Sequence, residues 1–130
     1  MVVNSFTLDM SYTKLDIYNT SFELFIETHR LTFKLPKHET YELGSQLRRS
    51  SDSVVTNIVE GYGRKTYKGE LIRFSVYSQG SCDETVCHLS KLAILYPELN
   101  SEFKNKAEQY QLLGGKINNF IKYVQLSWRS

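Results

Sequence analysis

The chain has 130 residues, with 16 lysines and arginines against 14 aspartates and glutamates, for a formal net charge of +2. A chain of that length buries roughly two-thirds of the surface it exposes when unfolded, so it needs neither a disulfide nor a metal to fold. A hydrophobic fraction of 41% with 23% charged residues excludes a disordered chain, and so small a positive excess does not by itself establish a nucleic-acid partner.

Met1 to Met10 carry no basic n-region and no long apolar run, so no signal peptide is expected. No stretch approaches the ~18 apolar residues that span a bilayer, so no membrane partner is expected either. Cys82 and Cys87 lie five apart, about 140° around a helix, and read as two reduced thiols of a cytoplasmic protein.

Breakers divide the chain into four helical blocks. The first runs from about Met10 to Lys34 and stops before Pro36. Leu15, Tyr18, Phe22, Phe25, Ile26, His29 and Phe33 follow three-or-four spacing and are the expected buried face, with Asp9 or Ser11 as the cap. The second runs from Thr40, the expected N-cap, to Glu60. Leu43, Leu47, Val54 and Ile58 form its apolar stripe, and Gly61 and Gly63 end it. The third runs from Thr66, again the expected cap, to Tyr96. Its face is Leu71, Phe74, Ser78, Cys82, Thr85, Leu89 and Leu92, and Pro97 closes it. The fourth starts near Asn100 or Ser101. Phe103, Ala107, Tyr110, Gly114, Ile117, Ile121, Val124 and Trp128 alternate steps of four and three, a heptad seam. Gly114–Gly115 inside this block reads as close helix packing, a kink or a surface for another subunit.

No strand pattern competes, and the connections are short. The expected fold is all-α, an antiparallel up-down-up-down four-helix bundle in one domain over residues 1–130. In that topology the loop Gly61 to Gly69 lies at the same end as both termini, beside Trp128 and Arg129.

Enzyme signatures are missing. A di-iron bundle needs paired Glu-x-x-His motifs, and the nearest approach is Glu84 and His88 at i, i+4, which reads as a contact on a solvated face. His29 reads as a hydrogen-bonded core or boundary residue and His38 as exposed. Gly61-Tyr62-Gly63 lacks the rest of a phosphate loop, and neither cysteine has evident His and acid partners. No metal and no cofactor are expected.

Two features stand above this background. The loop Gly61 to Gly69 carries Arg64, Lys65 and Lys68 with Tyr62 and Tyr67 and no acid. Cations neutralise phosphates and tyrosines stack on unpaired bases; Arg73 and Arg129 extend the patch. The alternative is a solubilising loop. The second feature is a polar stripe of Gln46, Arg49, Ser53, Asn57 and Glu60 on the second block. It reads as an interhelical hydrogen-bond network, an oligomer interface or an anion-binding groove, with Glu84 as a candidate partner for Arg49. Arg48 points about 100° away from Arg49 and serves another face.

The run Gln46-Leu47-Arg48-Arg49-Ser50-Ser51-Asp52-Ser53-Val54-Val55-Thr56-Asn57-Ile58-Val59-Glu60-Gly61-Tyr62-Gly63-Arg64 resembles the signature of the 23S rRNA intervening-sequence proteins, small four-helix bundles sometimes labelled ribosomal proteins. They are similar in turn to the accessory protein of diversity-generating retroelements. Phe74 followed by Ser78-Gln79-Gly80-Ser81-Cys82-Asp83-Glu84 matches a second family segment, and Leu35-Pro36 stands where the family has Phe-Pro. Ser50 and Ser78 stand where the family often has alanine. The resemblance implies a ring-like homo-oligomer, a pentamer, with Ser81 and Glu84 joining the polar stripe in a structural network or subunit interface. It also implies nucleic-acid binding through Arg48, Arg64, Lys65, Lys68 and Arg73, with a reverse transcriptase or other protein as a possible partner. The function expected is that of a non-enzymatic, oligomeric nucleic-acid-binding or ribosome- or retroelement-accessory protein; the alternative is a protein-interaction scaffold that binds no nucleic acid.

Overall fold

A computed structural model describes residues 11–129. Four long helices carry the fold: α1 Asp16–Thr32, α2 Leu43–Gly63, α3 Lys68–Leu95 and α4 Asn100–Ser127. They run up-down-up-down, each packed on its sequence neighbour, with α1 closing against α4. Short 3-10 turns, Tyr12–Lys14 and Pro97–Leu99, precede α1 and α4. No strand occurs among the described residues, and no described helix is long and apolar enough to cross a membrane. Asp9 and Met10, proposed at the start of the first block, lie outside the described residues.

The caps differ from expectation. Thr40 ends a single-turn helix, Lys37–Thr40, and α2 begins three residues later. Its buried hydroxyl lies 3.1–3.2 Å from the carbonyls of Thr32, Leu35 and Pro36, so it latches the α1–α2 connection instead of capping α2. Thr66 is exposed, and Tyr67 occupies the cap position of α3 with no side-chain cap bond.

The largest correction concerns α1. Its buried face is Ile17, Ser21, Leu24, Thr28 and Leu31. The aromatic stripe expected to be core instead faces outward. Phe22 is 45% and Phe33 54% exposed, while Tyr18, Phe25, Ile26 and His29 are half-buried. His29 sits between the Phe25 and Phe33 rings, at 5.6 and 5.5 Å, and its Nδ1 has no hydrogen-bond partner, contrary to the hydrogen-bonded histidine expected. Small residues line the buried face because Tyr110, fully enclosed on α4, fills the volume opposite and turns its phenol toward Thr28 and Ser51. Burial pushes that phenol well above its usual range.

The core is polar for its size. Hydroxyls of Ser21, Thr32, Ser50, Ser51, Ser75 and Thr85 bond carbonyls three or four residues back in their own helices, which satisfies their donors locally. Ser78 is different. Its Oγ donates across the interface to the Val54 carbonyl of α2 at 2.7 Å. Thr85 and Ser50 join the same two helices at 2.9 Å, as do Ser81 and Ser53. Cys82 donates to the Tyr110 carbonyl, and burial pushes its thiol up to about 12, which leaves it unreactive at neutral pH.

On α4 the seam is Phe103, Ala107, Tyr110, Leu113, Ile117, Ile121 and Val124, so Leu113 takes the place assigned to Gly114. The α1–α4 seam is bridged at its surface by the ion pairs Asp16–Lys116, Glu27–Lys106 and Lys34–Glu102.

Two glycines on these helices have opposite roles. A Cβ on Gly61 would meet Phe74 Cβ at 2.9 Å, across the contact of α2 with α3; a Cβ on Gly115 would meet nothing within 4 Å. In urea denaturation, Gly61→Ala is expected to lose about 1–3 kcal/mol of stability through overpacking. Gly115→Ala is expected to gain up to about 1 kcal/mol from helix propensity.

Candidate nucleic-acid interface

Helix α2 ends at Gly63, and a tight turn delivers the chain into α3. The Arg64 and Lys65 amides bond back to the Gly61 and Tyr62 carbonyls at 3.0 and 3.2 Å, and the Tyr67 amide bonds Arg64 at 2.8 Å. The turn is thereby fixed, with its side chains pointing outward.

The cations in and beside this turn divide into two groups. Arg64 pairs with Glu60 and, at 3.6 Å, with Glu70. Arg73 forms a two-point pair with Glu70 at 3.0 and 3.1 Å and reaches the Tyr77 hydroxyl at 3.3 Å. Both guanidinium groups rest on the Phe74 ring, at 4.8 and 5.0 Å. The Arg73 hydrogen bond holds the Glu70 carboxyl below its usual range, and Glu70 in turn raises Arg73. The two arginines are thus largely neutralised by Glu60 and Glu70, acids that flank the loop.

Lys65, Lys68 and Arg129 form the second group and have no carboxylate partner among the described residues. Lys65 Nζ lies 4.3 Å over the Tyr62 ring. Lys68 Nζ donates to the Gln125 carbonyl at 2.9 Å, in the last turn of α4, where the helix dipole favours a cation. Trp128 Nε1 donates to the Lys65 carbonyl at 2.9 Å. The end of α4 is therefore bound to the α2–α3 turn, as the predicted topology required. Trp128 meets Tyr62 and Tyr123 edge-on, at 6.2 and 6.1 Å between centroids. Tyr67 is 68% and Tyr123 53% exposed. Tyr123 was not among the residues read from the sequence. It lies off the heptad seam, and only the antiparallel placement of α4 brings it to this end.

The family model described as 23S rRNA-intervening sequence protein matches residues 13–119. The chain belongs to that family. A comparison with curated proteins finds no match. The family match covers the turn and the polar stripe of α2 but stops short of Tyr123, Trp128 and Arg129, so this family member builds its basic end partly from residues beyond the matched span.

Arg48 is not part of that end. It donates to Thr32 Oγ1 at 2.6 Å and stacks on Phe33 at 4.9 Å, about 24 Å along α2 from Arg64. The polar stripe also splits. Ser53 accepts from Ser81 and from Asn57, both at 2.9 Å, and knits α2 to α3. Glu60 holds Arg64. Gln46 and Arg49 are exposed; Arg49 bonds Ser45 at 3.0 Å and not Glu84. Glu84 and His88 make the i, i+4 contact expected, at 3.2 Å, with Glu84 in solvent as expected but His88 buried at the edge of the core. No cluster of three metal-ligating side chains occurs among the described residues.

Glu70 holds Arg73 at two points and reaches Arg64 only at 3.6 Å, so Glu70→Gln is expected to free Arg73 while Glu60 keeps Arg64. Nucleic-acid affinity should rise several-fold at low salt, with a steeper salt dependence as more phosphates are contacted, measured by fluorescence anisotropy.

Proposed function

We propose that this protein is a self-assembling, non-enzymatic nucleic-acid-binding protein of the cytoplasm that contacts phosphates without sequence preference through Lys65, Lys68 and Arg129. The observation that carries this reading is the coincidence, at one end of the bundle, of cations lacking carboxylate partners and of exposed tyrosines. The family takes its name from sequences intervening in 23S rRNA, which makes RNA the first probe to try. Arg64 and Arg73 contribute less than their charge suggests, because Glu60 and Glu70 already hold them.

Assembly is supported by the outward aromatic stripe of α1. Tyr18, Phe22, Phe25, His29 and Phe33 form a continuous face that the bundle leaves partly uncovered, Phe22 and Phe33 most of all. Exposed apolar faces of this kind mark interaction surfaces. A ring of five copies, as the resemblance implies, multiplies a weak patch into an avid one. A second reading, a scaffold for a protein partner, is favoured by the neutralisation of the two arginines.

Anisotropy with labelled single-stranded RNA, duplex RNA and duplex DNA across a salt series tests the binding. Binding is expected to weaken with salt and to be largely lost in Lys65→Ala/Lys68→Ala/Arg129→Ala. No binding by the folded protein at low salt would reject it in favour of the scaffold. Light scattering tests the assembly: Phe22→Asp/Phe33→Asp is expected to reduce the particle to a monomer with its helical circular dichroism intact, and a monomeric parent protein would overturn the ring.

A further inference from the structure

We infer that the basic end binds unpaired nucleotides by stacking their bases on an aromatic platform made by Tyr67, Tyr123 and Trp128, and so selects single strands over duplexes. The inference rests on the nucleic-acid reading above and narrows it to a substrate class.

Several observations converge on it. The rings come from two segments far apart in sequence that the fold locks together. Lys68 binds the Gln125 carbonyl and Trp128 binds the Lys65 carbonyl, so residues 65–68 lie against residues 125–128. Tyr67 sits in the first run, between the two anchored lysines. Tyr123 and Trp128 flank the second, their rings perpendicular at 87° and 6.1 Å apart. Trp128 is pinned at its indole nitrogen and by contacts with Tyr62 and Tyr123, so it meets a base already ordered. Tyr67 and Tyr123 expose more than half their surface.

Charge completes the platform. Lys65 and Lys68 bracket Tyr67 in the chain, Arg129 follows Trp128, and Lys122 is exposed next to Tyr123. Among the described residues, the acids that flank the turn, Glu60 and Glu70, are occupied by Arg64 and Arg73. A strand whose phosphates lie on the cations can turn its bases onto the rings. A duplex cannot, because its bases are already stacked on one another and only its backbone is presented. Stacking on aromatic side chains is tolerant of base identity, since every base has a π-face. The platform therefore confers selectivity for strandedness and none for sequence.

The chain's single tryptophan is Trp128, so the platform reports its own occupancy. The intact protein is titrated with oligonucleotides of roughly twelve nucleotides, within the range that one single-strand groove covers. The probes are single-stranded RNA, single-stranded DNA and the matched blunt duplex. Trp128 fluorescence and the anisotropy of a labelled strand are followed together. Either single strand is expected to quench Trp128 and to bind about ten-fold tighter than the duplex. Tyr123→Ala and Tyr67→Ala are each expected to weaken single-strand binding about ten-fold and to leave duplex binding unchanged, with Tyr123→Phe restoring it. Circular dichroism confirms that the variants fold.

Equal affinity for duplex and single strand, silent Trp128 fluorescence on binding, or a neutral Tyr123→Ala would overturn the platform while leaving the phosphate contacts standing. Absence of binding to all three probes would instead overturn the nucleic-acid reading beneath it.

Discussion

The hydrogen bond from Ser78 Oγ to the Val54 carbonyl sets the distance between α2 and α3, and much else follows from that distance. A side-chain hydroxyl reaches a helical carbonyl on a neighbouring helix only if the backbones are close. Small residues permit the approach: Ser50 and Ser53 on one side, Ser81 and Thr85 on the other, and Gly61 under Phe74. Each such bond contributes only about 1 kcal/mol net, but each fixes a separation and a register that aliphatic contacts alone would leave softer. Because α2 ends and α3 begins on this rigid pair, the turn between them is short and its side chains are held. Phe74, wedged against Gly61, becomes the floor on which Arg64 and Arg73 lie. The position of the basic end is thus decided by serines about two to four turns away from it.

The helices and their order were legible because their apolar positions repeat with a strong period and because prolines and glycines mark the breaks. Leu47, Val54 and Ile58 on α2 and the seam of α4, apart from Gly114 and Trp128, were placed correctly for that reason. The face of α1 was not. Its sequence carries two stripes, and the more hydrophobic one, from Tyr18 to Phe33, is the obvious choice by polarity. The bundle buries the other one, with Ser21 and Thr28 in it, because Tyr110 occupies the space opposite. Volume matching between helices does not register in the periodicity of one helix. A similar limit applies to the caps: Thr40 is buried by the path of the whole connection, which no local rule contains.

The candidate site was legible in composition and not in electrostatics. Reading along the loop shows three cations and no acid. Glu60 precedes the loop by one residue and Glu70 follows it by one, and helix geometry returns both carboxylates to Arg64 and Arg73. The available charge moves toward Lys65, Lys68 and Arg129, against the end of α4. Arg48 matched the family's basic pattern, but its guanidinium braces the junction of α1 and α2 at the opposite end. A basic residue in a motif and a basic residue on a surface are separate properties, and only packing distinguishes them.

The ion pairs along the α1–α4 seam specify chain direction. From its start α1 presents Asp16, then Glu27, with Lys34 just past its end, while α4 presents Glu102, then Lys106, then Lys116. Run antiparallel, every charge meets its opposite. Turn α4 end for end and Asp16 faces Glu102 while Lys34 faces Lys116. Exposed pairs of this kind add little stability, so their effect is chiefly discriminatory. The last helix carries a polarity label, and a bundle closed the wrong way round would be repelled at both ends of the seam.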